Sequence, residues 1–324
     1  MVCLDRLFPW CRHSSVISRV IKPVFGLLLY FGLQNPASAA TCSCAGVPLL
    51  AAIDTSAKEK GQLFISYNAE NHQISDLVSG SDDVPDETDR DRYSISQVLS
   101  ASYAMTDRWS VSALVSYVKH SREIGTSFLG KTTSSGLGDS VVLLRYTPVF
   151  ITPLSRHEVA VGLGSRIPTG DDDYGDGFVL SEDMQPSTGA FGGIAWTSYS
   201  YAFNQAATLQ FNASANYTYN GVNDREYRFG HEFNFAMGIG HSIGTRFSYS
   251  AAIRYRSTKA DQRFGFNIQN TGGKWVDFVP AISYAITDKF RLGVSGRIPV
   301  ARNLNGVLQF TTSYAYAVSA SYAF

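Results

Sequence analysis

From about residue 61 to the end of the chain, apolar or aromatic residues alternate with polar ones at every second position. The stretch 207–219 is the clearest case. One set of alternate positions runs from Ala207 through Phe211 to Tyr219, and the other holds only Thr, Gln, Asn and Ser. Since successive side chains of a β-strand point to opposite faces, this period of two predicts strands with one apolar and one polar face.

Twelve runs of this kind follow one another along the chain. They span roughly 61–70, 91–105, 109–120, 138–149, 157–168, 189–203, 206–220, 230–243, 246–258, 273–286, 290–300 and 307–324. The links between them alternate in length, from two to six residues on one side and up to twenty residues on the other. An even strand number with short turns at one end and long loops at the other is typical of bacterial outer-membrane barrels. We therefore predict an all-β fold, a transmembrane antiparallel up-and-down β-barrel of about twelve strands over residues 61–324.

A soluble β-sandwich or solenoid would show the same alternation, with its apolar face turned inward. Three features favour the membrane. The polar face carries Ser, Thr, Asn, Gln and Arg rather than Lys and Glu, and the chain ends in Phe324 after apolar residues at alternate positions. That ending resembles the signature which the barrel-assembly machinery recognises. Aromatic residues also lie near strand ends, as in interfacial girdles: Trp109, Tyr117, Tyr146, Tyr199, Tyr201, Phe203, Tyr255 and Tyr284.

Composition excludes several other classes of protein. Charged residues make up 17% of the chain and the sequence has no apolar run of 18 residues, which excludes a polytopic helical membrane protein. The abundance of Gly and aromatic residues excludes a disordered chain. With 27 Lys+Arg against 27 Asp+Glu and no basic block, nucleic acid is not expected as a partner.

The first 40 residues have the pattern of an export signal. A basic stretch precedes an apolar core from Val24 to Leu33, and small residues follow from Ala37 to Ala40. As a helix the ten-residue core would be about 15 Å long, too short for a retained membrane anchor. We expect residues 1–40 to be a signal peptide and the protein to reside in the outer membrane of a Gram-negative bacterium.

Residues 41–60 are expected to form an N-terminal periplasmic segment that contains a Cys-Ser-Cys sequence, Cys42 to Cys44. In the oxidising periplasm the two thiols could form a strained disulfide, bind a soft metal ion or attach to a partner. With no neighbouring His and no second cysteine pair, Cys42 and Cys44 are only weak candidates for metal ligands, and no metal site is assigned.

Turning the polar face inward places charged side chains in the lumen of the barrel. The expected pore-lining residues are Arg145, Arg166, Arg254, Arg256, Arg291, Arg297, Glu158, Glu232 and Asp277. One interpretation is that these groups pair across the barrel and make it rigid. The other is an anion-selective path, because a guanidinium group presents forked donors to carboxylates. We expect a mild preference for anions.

Two of the long connections are acidic. The first holds seven acidic residues between positions 76 and 91, and the third holds six between positions 171 and 183. The run from Asp171 to Gly177 resembles a calcium loop but lacks its spacing, since Gly175 occupies the fifth position, where a calcium loop has a side-chain oxygen ligand. We expect solvated loops that bind divalent cations weakly near lipopolysaccharide rather than a dedicated site.

No catalytic pattern stands out. The chain has no H-E-x-x-H sequence, and its one G-x-S-x-G match, Gly240 to Gly244, begins inside the strand run 230–243. His120 and Ser121 are adjacent, as are His241 and Ser242, so the members of each pair point to opposite faces of a strand. We expect neither an enzyme nor a cofactor.

Two short motifs carry a family resemblance. The sequence GLGDSVVLLRYTP runs from Gly136 to Pro148, and GLGSRIPTGDDD runs from Gly162 to Asp173. Together they resemble the "GLGD … PTGD" pattern of outer-membrane barrels in the phenol-degradation MetA-pathway family. The resemblance covers about residues 90–324 and implies a barrel that moves small, often aromatic or hydrophobic, compounds across the outer membrane. The motifs themselves are structural and carry no ligand chemistry.

The expected function is that of a channel for passive uptake or efflux of small solutes, anionic or aromatic, through an Arg-lined lumen. Its expected partners are outer-membrane lipid and lipopolysaccharide, those solutes, and the assembly machinery at Phe324. The alternative is a non-conducting barrel that scaffolds a periplasmic partner, for metal or electron handling, through residues 41–60.

Overall fold

The structure, a computed structural model, describes residues 40–41, 57, 59–125, 130–152, 155–175 and 179–324. Twelve long strands dominate these residues, and Glu182–Met184 forms a single 3₁₀ turn. Among the described residues, no helix is long and apolar enough to cross a bilayer. The long strands are β1 (Leu63–Gln73), β2 (Arg90–Ala104), β3 (Trp109–Ile124), β4 (Ser140–Val149), β5 (His157–Ile167), β6 (Gly192–Ala202), β7 (Leu209–Asn220), β8 (Glu232–Ile243), β9 (Phe247–Thr258), β10 (Gly273–Ala285), β11 (Phe290–Leu304) and β12 (Tyr314–Ala323).

These strands form a closed antiparallel cylinder. Each strand pairs with its neighbours in sequence, and β1 pairs both with β2 and with β12, where Phe64 lies opposite Ala323. Each strand is therefore hydrogen-bonded on both sides, the condition that allows a sheet to exist in lipid. The predicted twelve-stranded barrel is confirmed.

The cylinder is apolar on its outer face over most strands. On β3, for example, the alternate residues Ala113, Val115 and Tyr117 are exposed, whereas Ser112 and Ser116 are buried inside. The outward positions of β11 and β12 carry Val294, Ile298, Val318 and other aliphatic or aromatic side chains that are about half exposed. An apolar exterior of this kind matches a hydrocarbon environment.

The two ends of the barrel differ. At one end, here called the turn end, the connections between successive strands are short. The end of β12 meets the start of β1 there, where the backbone amide of Phe324 donates to the carbonyl oxygen of Leu63 at 2.8 Å. At the other end, the loop end, the connections are long. Several of the expected girdle residues lie near the turn end, where the rings of Trp109 and Tyr146 are 4.7 Å apart.

Parts of the long connections are themselves strands, which the sequence pattern did not predict. β3 runs on to Ile124 and pairs with Lys131–Leu137, within the expected loop 121–137. The last run was expected to start at residue 307, but β12 begins at Tyr314. Residues Gln309–Thr311 form a separate short strand that pairs antiparallel with Asp76–Ser79. On its other side, Ala40–Thr41 pairs with this short strand in parallel. These pairings satisfy backbone groups that a bare loop would leave to water.

The inner wall is not polar throughout. On β2 to β6, inward positions form an apolar cluster: Val98, Leu114, Val141, Leu143, Ala160, Ile194 and Trp196. Trp196 lies opposite Gly162, where a Cβ atom would come within 3.3 Å of the indole ring, so the missing side chain makes room for the ring. The expectation of a wholly polar lumen is therefore wrong for this wall, because its side chains pack against each other as in a soluble core.

Replacing Gly164 by Val tests the close contact between β4 and β5. A Cβ atom at Gly164 would lie 2.5 Å from the carbonyl oxygen of Val142 and 2.9 Å from Leu143 Cδ1. We expect G164V to lower the free energy of unfolding by about 1–3 kcal/mol, as overpacking does. Urea unfolding in detergent micelles measures it. In the control, G193V, the nearest atom to the new Cβ is 4.0 Å away. Equal stability of the two variants would contradict the packing described.

Candidate functional site

The lumen is open at the turn end. A cavity of about 460 Å³ lies there, bounded by inward side chains of β7 to β12 and of β1. A second cavity, of about 280 Å³, shares part of its wall and reaches Arg145 and Glu158 on the opposite side. We call the larger cavity the vestibule. The aliphatic hydroxyl, carboxamide and guanidinium groups that line it belong to Ser66, Asn68, Thr208, Gln210, Asn212, Ser242, Ser248, Ser250, Ser283, Arg291, Ser295, Ser319 and Ser321.

Arg291 brings a positive charge into the vestibule. Its Nη1 donates to the hydroxyl oxygens of Ser248 at 3.2 Å and Ser283 at 3.1 Å, and the side chain is exposed. Both partners are neutral. The guanidinium thus faces the cavity, and no carboxylate of the described residues forms an ion pair with it.

A band of charged side chains follows the vestibule toward the loop end. On β11 the inward residue after Ser295 is Arg297, and on β1 the inward residue after Asn68 is Glu70. Because inward positions recur every second residue, these side chains form the next layer of the lumen. We define the charged belt as Glu70, His72, Glu232, Arg254, Arg256, Asp277 and Arg297.

One half of the belt is tightly paired. Arg297 Nη2 lies 2.7 Å from Glu70 Oε1, and His72 Nε2 lies 3.1 Å from the same oxygen. The pair joins β1 to β11 across the intervening β12, whose inward residues here are the buried alanines Ala315 and Ala317. Small side chains on β12 therefore let the two long ones meet.

The other half of the belt is loosely paired. Arg254 Nη2 donates to Asn234 Oδ1 at 3.0 Å, and Arg254 lies opposite Asp277 in the strand register. Arg256 lies 3.9 Å from Glu232 Oε2, beyond hydrogen-bonding distance, and its guanidinium carbon lies 3.9 Å from the ring centroid of Trp275. Here the guanidinium groups have amide and aromatic partners rather than close carboxylates.

The remaining predicted pore-lining residues lie on the opposite wall. Arg145 Nη2 binds Glu158 Oε1 at 3.1 Å, at the wall of the second cavity. Arg166 is buried, with its Nε 3.2 Å from Asp139 Oδ2. The structure thus gathers five of the nine predicted residues into the belt, leaves Arg291 alone in the vestibule, and places the other three in ion pairs of the wall.

Glu70, His72 and Trp275 belong to the belt region but were not predicted to line the lumen. Glu70 ends the first run, 61–70, and His72 lies beyond it because the structure extends β1 to Gln73. Both hold inward positions, two and four residues after Asn68, so the alternation itself could have identified them. No feature of the sequence identified Trp275 as a lumen residue, because the alternation assigns polar side chains to the inward face.

The connection between β5 and β6 folds over the loop end of the lumen. Met184 is fully buried, and Arg92 Nη1 binds Asp183 Oδ2 at 2.6 Å. Asp139 accepts hydrogen bonds from the hydroxyls of Ser187 at 2.5 Å and Thr188 at 2.6 Å. We call residues 168–175 and 179–191 the cover segment.

Ion pairs hold the cover segment from the outside as well. Arg225, in the β7–β8 connection, pairs with Glu182 and lies 3.3 Å from Asp172. The hydrogen bond to Glu182 raises the pKa of Arg225 above its ordinary value. Similarly, Arg302 pairs with Asp76 at 2.5 Å. Several carboxylates that the sequence pattern placed in solvated loops are thus bound to arginines.

The part of the chain that the structure describes contains no group of three or more His, Cys, Asp or Glu that could hold a metal ion. Cys42 and Cys44 lie outside the described residues, as does the predicted signal peptide up to Ala39.

These features define the class of the protein: a closed β-barrel with an apolar exterior and a charged, partly open lumen. The sequence model of the family described as "Putative MetA-pathway of phenol degradation" matches residues 119–306. That match covers more than half of the chain, so the chain belongs to this family, as its two short motifs indicated. No curated protein matches the chain closely enough to count as a relative.

Among solved structures, the chain is similar to the COG4313 outer membrane channel from Pseudomonas putida F1. The TM-score is 0.66 at 13% identity, covering 84% of this chain and 98% of that one. A weaker match is the β domain of the Bordetella autotransporter BrkA, with a TM-score of 0.46 at 12% identity, covering 82% of this chain and 100% of that one. Another is the NanC porin, with a TM-score of 0.45 at 11% identity, covering 80% of this chain and 98% of that one. The first match shows a shared outer-membrane barrel fold.

Replacing Arg225 by Ala tests the attachment of the cover segment. Glu182 is only 8% exposed, so removing its partner leaves an uncompensated buried carboxylate, which costs about 3 kcal/mol. We expect R225A to speed backbone amide hydrogen exchange within residues 179–191, measured by mass spectrometry. The control is R263A, because Arg263 is half exposed and 3.9 Å from the same carboxylate. Exchange that is equally slow in both variants would mean that Arg225 does not hold the segment.

Proposed function

We propose that the protein is a passive outer-membrane channel for small solutes, with a preference for anionic ones. The observation that carries the proposal is the vestibule, a space of about 460 Å³ lined by hydroxyl and carboxamide groups inside a closed barrel. A barrel of twelve strands encloses less space than a sixteen-stranded porin and more than an eight-stranded barrel, whose interior is filled by side chains. A barrel of this diameter therefore has room for a narrow path that admits small molecules.

Several contacts support the anion preference. Arg291 and Arg254 have only neutral hydrogen-bond partners within the described residues, Ser248 and Ser283 for the first and Asn234 for the second. The acids Glu70 and Glu158, by contrast, lie close to guanidinium groups. Positive charge is thus less neutralised than negative charge along the path, and exposed charges in a low-dielectric wall attract ions of opposite sign.

The exterior supports an outer-membrane location. Aliphatic and aromatic side chains face outward on the barrel strands, and the ring of Phe324, 60% exposed, lies 4.6 Å from that of Tyr322 at the turn end. Lipid and lipopolysaccharide would contact the barrel surface, and the assembly machinery would recognise the exposed terminal ring. Family membership agrees with a role in handling small organic compounds, aromatic acids among them. The alternative scaffold function depends on Cys42 and Cys44, outside the described residues, and stays a prediction.

Conductance across a planar lipid bilayer tests the proposal. With KCl at different concentrations on the two sides, we expect open-channel currents whose reversal potential indicates a higher permeability for chloride than for potassium. A clear preference for potassium would contradict the anion preference, and the absence of any current from correctly folded protein would contradict the channel.

A matched pair of Trp substitutions tests whether the path runs through the vestibule. Ser295 lines it, whereas Ile298, three residues further along β11, is half exposed on the outer face of the barrel and does not line it. We expect S295W to reduce single-channel conductance severalfold because the indole fills the cavity, while I298W leaves it near the wild-type value. An equal effect of the two substitutions would place the path elsewhere.

A further inference from the structure

A small cavity lies inside the charged belt itself. Its volume is about 20 Å³, enough for one or two atoms of the size of a water oxygen. Six side chains contribute most of its chemistry: His72, Arg254, Arg256, Trp275, Asp277 and Arg297. It is therefore a chamber for a single small group and not for a whole organic solute.

The charged groups that line this cavity are mostly cationic. Three guanidinium groups line it, from Arg254, Arg256 and Arg297, against one carboxylate, that of Asp277. The other acids of the belt do not line it: Glu70 lies 2.7 Å from Arg297 and Glu232 lies 3.9 Å from Arg256, so the charge of the whole belt is balanced. Because Coulomb interactions weaken with distance, an anion inside the cavity interacts most strongly with the guanidinium groups that line it.

Within the described residues, Arg254 and Arg297 have donor atoms that are not fully satisfied. Arg254 has one hydrogen bond, to the neutral amide of Asn234, and among those residues no carboxylate oxygen lies within 4.0 Å of it. Arg297 Nε is buried and has no hydrogen-bond partner there. Buried polar groups normally find a partner, so these donors point to a missing acceptor.

We infer that this cavity binds one small anion, either a halide ion or the carboxylate group of an organic acid. The inference deepens the proposed function and rests on it, because it names the point in the channel at which an anionic solute pauses. Arg254 and Arg297 hold the anion by charge-assisted hydrogen bonds, and Trp275 forms an apolar side of the chamber. Bulk solvent reaches Trp275 poorly, since it is only 4% exposed.

Quenching of Trp275 fluorescence by iodide measures binding without any current. The signal of the W275F variant is subtracted, so that only the indole at the cavity is observed in the full-length protein in detergent. We expect a saturable quenching component that excess chloride displaces. Displacement by sodium acetate or benzoate would identify the carboxylate group as a ligand, and displacement by chloride alone would restrict the site to halides. Quenching that rises linearly with iodide, with no saturable part, would overturn the inference.

Three variants separate the cavity from the general charge of the lumen. We expect R254Q to weaken iodide binding about tenfold, and D277N to tighten it because the only carboxylate of the cavity is lost. The control R291Q removes the same charge from the vestibule and should change affinity less than about twofold, given the screening of an exposed group. Weaker binding in D277N, or equal losses in R254Q and R291Q, would overturn the inference.

Folding and conduction are monitored separately. Heat-modifiable migration in gels verifies that each variant is a folded barrel, and D277N with R291Q suffices if R254Q fails to fold. Saturable quenching in a protein that passes no current would refute the channel and retain the anion site. Currents without saturable quenching would retain the channel and refute the site.

Discussion

Hydrogen bonding between β1 and β12 is the interaction on which the rest of the structure depends. Without it the sheet would have two edges, and each unpaired amide or carbonyl in hydrocarbon costs several kcal/mol. Closure removes both edges and at the same time encloses a space. The outer face can then be apolar, while polar and charged side chains of β7 to β12 and of β1 line the enclosed space.

Side-chain size along the inner wall decides where that space is open. Serine and glycine at inward positions of β8 to β12 leave the vestibule, and the alanines of β12 let Glu70 and Arg297 meet across one strand. On β2 to β6, larger aliphatic side chains and Trp196 close the wall. The lumen is therefore asymmetric: one wall is packed like a core, and the other carries both the open space and the charged belt.

Strand number and closure could be predicted from the sequence, because a period of two repeated twelve times has few solutions in a membrane. The family was indicated by the two short motifs at 136–148 and 162–173. The lumen could be predicted only in part. Alternation places Arg254 and Arg297 inside but cannot show that Glu70 reaches one of them across β12, since this depends on the register of three strands. The ion pairs of Asp183 and Glu182 with distant arginines, 91 and 43 residues away, were likewise invisible in a local pattern.

The assignment of inner and outer faces is tested most directly by cysteine scanning along β9 in lipid vesicles, on a chain whose native cysteines are replaced by serine. Ser248, Ser250, Ala252 and Arg254 should react, when replaced by cysteine, with a charged water-soluble thiol reagent. A fluorophore attached at Tyr249, Ala251 or Ile253 should be quenched by lipid-dissolved quenchers. Strict alternation between the two responses is the predicted result. Uniform access of water to every position, or quenching by lipid at the first set, would contradict a barrel with its polar face inward.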